Sequence, residues 1–277
     1  MAKLINNDDT LRQYLPNVFA TVNGEVSLFD KVKVDIDLAE NWVENTFTGD
    51  VVFEEICDEN DPRHELVSKL VVTEAMRRTI PSLDLVLTPN GFGVVSTQNI
   101  APASKERVER LIGSLADYRD ECIANLLSEL RRDVSFWIDS QQEFYFQETL
   151  FPDLAITEQV KGNGSKWERY LALRPKIMEI EASLAEEWFS PELLESVRDE
   201  NLWGWLTDNR KKFVREVQAV IVAYLNEGTF NARRLADIVN FIRRHPADFE
   251  EWHNSETAKL FSPPVFRNLK TNKGYWF

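Results

Sequence analysis

Apolar residues recur three and four positions apart along most of the chain, the interval that lines one face of an α-helix. Val67, Leu70, Val71 and Ala75 mark a helix that opens after Pro62 and stops at Ile80-Pro81, because the residue before a proline is pushed out of the helical region. The longest stripe is Val108, Leu111, Ile112, Leu115, Tyr118, Cys122, Leu126 and Leu130. It predicts a helix over about 104–132, with Ser104 as its N-cap and Glu106 in the first turn, where the helix dipole favours an anion. Phe213, Val217, Val220, Ile221, Tyr224 and Leu225 form a third stripe, ended by Gly228, and Leu235, Ile238, Val239 and Ile242 a fourth, which stops at His245-Pro246. Helices of this kind are stable only when their stripes cover one another, so the expected fold class is all-α, a multi-helical bundle.

One segment alternates differently. Leu85-Val86-Leu87-Thr88 and Phe92-Gly93-Val94-Val95-Ser96 are β-like runs around Pro89-Asn90-Gly91, which predicts a short β-hairpin or ordered loop at about residues 85–98, between two helices, with its turn at Asn90-Gly91.

The chain also repeats landmarks in the same order. Leu38-Ala39-Glu40-Asn41-Trp42 is echoed by Leu184-Ala185-Glu186-Glu187-Trp188, and each is followed by a short helical segment, then a long helix, then a further helix. Trp137-Ile138-Asp139-Ser140 is echoed by Trp252-His253-Asn254-Ser255, and Leu150-Phe151-Pro152 by Leu260-Phe261-Ser262-Pro263. The expected organisation is two copies of one helical unit, residues 1–155 with the inserted hairpin and residues 165–277 with an aromatic tail. Val160–Ser165, rich in glycine and polar residues, is the linker between them.

Composition narrows the function classes. The 277 residues are 43% hydrophobic and 28% charged, the balance of a folded soluble domain rather than a disordered chain. Lys and Arg total 32 against 46 Asp and Glu, a net charge of −14 that repels phosphate backbones and speaks against gripping nucleic acid. The opening residues lack a hydrophobic signal core, no run of 18 apolar residues occurs, and two cysteines cannot build a disulfide framework. These features predict a cytoplasmic protein, or a virion component if the chain is phage-derived, without membrane association.

The residues offer little catalytic chemistry. His245 and His253 lie too far apart, across Pro246, to share a helix face as zinc ligands, and Cys57 and Cys122 have no ligand-like neighbours. Asn90-Gly91-Phe92-Gly93 lacks the following helix start and lysine of a phosphate loop. Adjacent glutamates such as Glu186-Glu187 point about 100° apart on a helix and do not converge on a substrate. No catalytic residue, cofactor or metal site is expected. Basic pairs such as Arg77-Arg78 and Arg210-Lys211-Lys212 read as helix-surface charge. The candidate interaction residues are Pro89, Asn90, Gly91 and Phe92 at the hairpin tip and Tyr275, Trp276 and Phe277 in the tail, because aromatic side chains anchor interfaces.

Leu87-Thr-Pro-Asn-Gly-Phe-Gly-Val-Val-Ser96, the helix start Ala101–Leu111 and the opening Leu4–Val18 resemble an uncharacterised protein family of gut Bacteroidetes encoded in prophage-like regions. The order helix, short helix, long helix, loop, long helix is in turn similar to the all-helical head–tail connector (adaptor) proteins of tailed phages. That resemblance implies an assembly protein, not an enzyme, with itself as partner in a ring and portal or tail proteins as neighbours. Two other readings stand beside it: a helical carbohydrate-active enzyme or binding protein using carboxylates and Trp in a groove between the copies, and a host-encoded helical scaffold.

Overall fold

A computed structural model describes residues 4–15, 26–83, 85–88, 91–94, 104–133 and 137–262. Among the described residues the chain is all-α apart from one short two-stranded sheet. In order come α1 (Asp8–Gln13), α2 (Leu28–Val43), a π-helical turn (Glu44–Thr48), α3 (Gly49–Ile56) and α4 (His64–Thr79) with a 3-10 turn at Ile80–Ser82. Strands β1 (Leu85–Thr88) and β2 (Gly91–Val94) precede α5 (Lys105–Asp133), α6 (Gln141–Gln147) and α7 (Ile156–Gln159). The second half runs α8 (Lys166–Leu184), a second π-helical turn (Ala185–Phe189), α9 (Pro191–Trp203), α10 (Asp208–Glu227), α11 (Ala232–Arg244), α12 (Glu250–His253) and α13 (Glu256–Leu260).

The helix boundaries follow the local chemistry. Ser27, Ser165 and Thr207 cap α2, α8 and α10 by accepting a first-turn N–H, and Ser165 forms a reciprocal capping box with Glu168. Gly204 and Gly228 close α9 and α10 in the left-handed conformation that only glycine adopts without cost.

Helix α4 is the centre of the first half, packed between α2 and α5. Most of its circumference is buried, Ser68, Thr73 and Glu74 included. In α5 the stripe is buried only from Leu115 onward, at Leu115, Cys122, Ile123, Leu126, Leu127 and Leu130, while Tyr118 is partly exposed. The first two turns of α5, to Arg110, bury no residue, and Leu111 is the first to pack against the core.

Residues of both halves belong to one hydrophobic core. Trp167 of α8 packs its ring 5.1 Å from Phe47 and 6.2 Å from Trp42, and Phe146 stacks between Phe47 and Tyr170. The stretch read as a linker is tied down: Val160 is buried, its carbonyl accepts from Arg169, and Lys161 N–H donates to Asn226.

The same local arrangement occurs twice. Glu40 on α2 and Glu181 on α8 are buried carboxylates that accept backbone N–H groups from a distant segment, Leu4 and Ile5 in one case and Leu150 in the other. A π-helical turn ends each helix, and a positive-φ residue follows, Gly49 (φ 72°) and Ser190 (φ 67°). The indole of Trp137 donates to the Phe47 carbonyl at 2.6 Å, and that of Trp252 to the Trp188 carbonyl at 2.9 Å. This alignment sets Trp188 opposite Phe47, not opposite Trp42 as the Leu-Ala-Glu strings suggest.

Ser190 tests how that corner is held. Its hydroxyl accepts the Leu193 N–H while its backbone sits where side chains are disfavoured. Ser190→Ala keeps the strain and loses the cap, and is expected to cost about 1 kcal/mol. Ser190→Gly relaxes the backbone and should lie within a few tenths of wild type, read from urea unfolding midpoints.

Candidate functional site

The hairpin is defined at the backbone. Strands β1 and β2 pair antiparallel with Leu85 opposite Val94, Leu87 opposite Phe92 and Thr88 opposite Gly91. Gly91 is therefore a strand residue facing Thr88 and not the second turn residue that the Asn-Gly pair suggested; the connection consists of positions 89 and 90. Pro89 and Asn90 lie outside the described residues, as do Tyr275, Trp276 and Phe277. The structure thus brings Gly91 and Phe92 into one strand next to α5 in sequence.

The densest polar cluster sits at the seam between the halves. Residue spacing on α4 puts Arg77 and Arg78 one turn beyond Glu74, and their Nε atoms donate to its carboxylate at 2.9 and 2.7 Å. Arg119, fully buried on α5, donates to Glu74 at 3.2 Å, to Asp120 at 2.9 and 2.8 Å, and to the Ser165 hydroxyl at 2.7 Å. The other Asp120 oxygen accepts the Trp167 N–H at 3.1 Å, an anion placed at the N-terminus of α8. Burial pushes the Glu74 carboxyl up, but the hydrogen bonds from Arg77 and Arg78 and the charges of Arg77 and Arg119 outweigh it and hold it below the ordinary range. Three arginines here share two carboxylates, with Glu168 3.8 Å from Arg77, and the cluster clamps α4 and α5 to the start of α8.

A second node gathers around Arg210 at the start of α10. Its guanidinium reaches Glu200 at 2.6 Å, Ser196 at 2.8 Å, both Glu251 oxygens at 2.7 Å and the Asp248 carbonyl at 2.7 Å. Burial raises Glu200 despite Arg210. For Glu251 burial also acts upward, but Arg210 and Ser196 hold the carboxyl below its usual value. Buried Glu181, raised by desolvation in spite of the Arg198 charge, is bonded to Arg198 and the Leu150 N–H. Glu181 and Glu251 thus spend both oxygens on other parts of the chain, whereas Glu200 bonds Arg210 through Oε1 only and its buried Oε2 has no hydrogen-bond partner among the described residues.

Aromatic and apolar side chains are a different matter. Trp203 lies edge-on to buried Trp137, and Trp205 stacks on Trp203 at 5.8 Å while remaining 67% exposed. Val34 and Leu38, one turn apart on α2, are also exposed. Sequence reasoning did not single out these three. A signal for Trp205 existed, because it directly follows Gly204, whose left-handed cap turns the chain off the helix axis.

Two grooves border the seam. One, about 540 Å³, is lined by Asp117, Glu121, Asp153, Glu158, Arg131 and Lys166. The other, about 690 Å³, lies between α6, α8 and α9, with Phe144, Met178, Ala182 and Pro191 as apolar lining and Glu186 and Glu195 among its acids. Neither is lined by a tryptophan, so neither sets an indole face beside its acids as sugar hydrolysis would use them.

Each histidine contacts a backbone carbonyl: His64 that of Ile56, His245 that of Phe241 and His253 that of Ile242. Burial drives the Cys122 thiol up to about 11, so it stays protonated as a small apolar group. Among the described residues no group of three His, Cys, Asp or Glu is placed to hold a metal, and no helix is long and apolar enough to cross a membrane.

A family of unknown function (DUF6712) matches residues 19–143, the stretch from before α2 into α6 that contains the hairpin, the first π-helical turn and Trp137. No curated protein and no solved structure matches the chain.

Proposed function

We propose that this chain is an assembly protein acting through protein–protein contacts, of the kind that connects head to tail in tailed phages. The observation that carries the reading is the hairpin. Its two strands pair in a two-stranded sheet, inserted between the two helices that pack most closely in the first half. An isolated two-stranded ribbon is marginal on its own, and its outer edges offer N–H and C=O groups to a further strand. Edge pairing with a neighbouring copy is a heterologous contact, the type that closes into rings. The buried carboxylates support the same reading, since they are used to hold the chain together. The likeness of residues 87–96 and 101–111 to prophage-encoded proteins of gut Bacteroidetes agrees with it, with portal or tail proteins as further partners. We also read the chain as a duplicated helical unit, supported by the paired features around Glu40 and Glu181. That reading accounts for a chain about twice the length of a simple connector.

Light scattering coupled to size exclusion, over a range of concentrations, tests the assembly. The expected result is a large discrete particle, with rings in negative-stain images of the same fractions. Deleting residues 88–96 is expected to give a folded monomer by circular dichroism and light scattering. A wild-type chain that is monomeric at every concentration, or an unfolded deletion product, overturns the hairpin as an assembly contact.

A further inference from the structure

Charge is unevenly placed along this chain. Residues 177–197 hold six glutamates and no Lys or Arg, whereas residues 208–244 hold eight Lys and Arg against four acids, in a protein whose net charge is −14. On the acidic stretch Glu181 is buried and pairs with Arg198. Glu179, Glu186, Glu187, Glu192 and Glu195 are exposed and form no ion pair among the described residues. On the basic stretch Arg210 is spent in its node with Glu200 and Glu251, and Arg234 on Glu216. Lys211, Lys212, Arg215, Arg233, Arg243 and Arg244 are left, exposed and without an ion pair among the described residues. The two faces lie in one molecule, yet among the described residues no ion pair joins them. Gathered like charges repel one another, and a surface of opposite sign relieves both faces at once.

We infer that the basic face of α10 and α11 docks on the acidic face of α8 and α9 of a second copy of this chain. The inference rests on the assembly reading only in that copies of the chain meet, and it does not involve the hairpin. The acidic face borders the groove between α6, α8 and α9, in which Phe144 is 49% exposed and Met178 36% exposed. Lysine and arginine carry long apolar stems behind their charged heads. Stems from the neighbour lie on Met178 and Phe144, and the heads reach Glu186 and Glu195, which line the same groove. The basic face has a groove of its own, about 430 Å³ between α10 and α11, lined by Lys212, Arg244 and Phe241, with Lys212 Nζ 4.6 Å from the centre of the Phe241 ring. It admits a glutamate side chain from the other copy. A phosphate backbone suits it less, because Glu216 and Asp237 line this groove too and the chain as a whole repels polyanions. Each copy carries one face of each sign, so each both gives and receives a contact.

Charge reversal in the full-length chain tests this by sedimentation velocity, with circular dichroism to check folding. Lys211→Glu with Arg215→Glu reverses one face, and Glu186→Lys with Glu195→Lys reverses the other; all four side chains are exposed. Each variant alone is expected to associate about tenfold more weakly than wild type. An equimolar mixture of the two sets opposite charges against each other at both faces, and should return to within about threefold of wild type. Wild-type association is expected to weaken as salt screens the contact. A variant that associates as tightly as wild type, or a mixture no tighter than its components, overturns the contact; if wild type still forms particles, the assembly reading stands without it. A wild-type chain that is monomeric even at low salt overturns both. Duplex DNA bound by wild type but not by the Lys211→Glu, Arg215→Glu chain, with no association of copies, assigns the basic face to a phosphate backbone and also overturns the proposal.

Discussion

Replacing Arg119 with alanine is expected to destabilise the fold by about 3–5 kcal/mol, the cost of leaving buried charges without their partner. Arg119, Glu74 and Asp120 are each at most 2% exposed, so water cannot take over from the lost guanidinium. Four bonds would go, one to Glu74, two to Asp120 and one to Ser165, and the Asp120 carboxylate that accepts the Trp167 N–H would lose the group that orients it. The thermal midpoint should fall by about 10 °C for a chain of this size. Arg119→Met together with Glu74→Gln removes charge from both sides of one contact, and should recover part of the loss. The pH dependence has a definite sign. Glu74 lies below its ordinary value in the folded protein, so its contribution is present above the ordinary carboxylate range and is lost as pH falls through the lowered folded value. In the Arg119 variant Glu74 takes up a proton more readily. The gap between wild type and variant should therefore narrow toward acid pH. A loss below about 1 kcal/mol would show that the seam is held by packing alone.

The second large effect is expected at Trp137. Truncation to alanine removes a fully buried indole that contacts Phe146 and Trp203, at a cost of about 3–5 kcal/mol. Trp137→Phe separates packing from polarity. It keeps an aromatic ring but deprives the Phe47 carbonyl of its indole donor in the π-helical turn, and should cost about 1–3 kcal/mol. Trp252→Phe removes the corresponding bond to the Trp188 carbonyl and should fall in the same range. Urea unfolding of the three variants decides it. Equal stabilities for Trp137→Phe and wild type would mean that the turn finds another donor.

The parts of the fold that rest on neighbours along the chain were legible in the sequence. The limits of α4, α10 and α11 followed from Pro62, Pro81, Gly228 and Pro246, because proline and glycine act on the backbone within a residue or two. Arg77 and Arg78 were read as pairing one turn away, and they do pair with Glu74. What escaped depends on distant chain. Nothing near Arg119 announces that it is buried, since Glu74 and Ser165 reach it only after the helices pack. Arg210 was taken for surface charge and is instead the hub of α9, α10 and α12. Tyr118 belongs to the periodic stripe, yet it lies at the edge of the covered face, where Arg119 and Asp120 beside it take the buried positions. The π-helical turns leave no pattern in hydrophobic spacing, so neither of them was readable in the sequence. Of the interaction residues, Gly91 and Phe92 are set in β2, while Pro89, Asn90 and Tyr275–Phe277 fall outside the described residues.

The overhang of α5 has a mechanical meaning. One continuous 29-residue helix, roughly 44 Å long, follows the hairpin in the chain, and its first two turns bury no residue. Further along, the same rod holds Arg119 and Asp120, which bolt it to α8. A load applied at the N-terminal end of α5 is therefore borne by a stiff beam anchored at mid-length, and its torque arrives at the charged seam. Any contact made at that end is felt by the second half as a push on the first turn of α8.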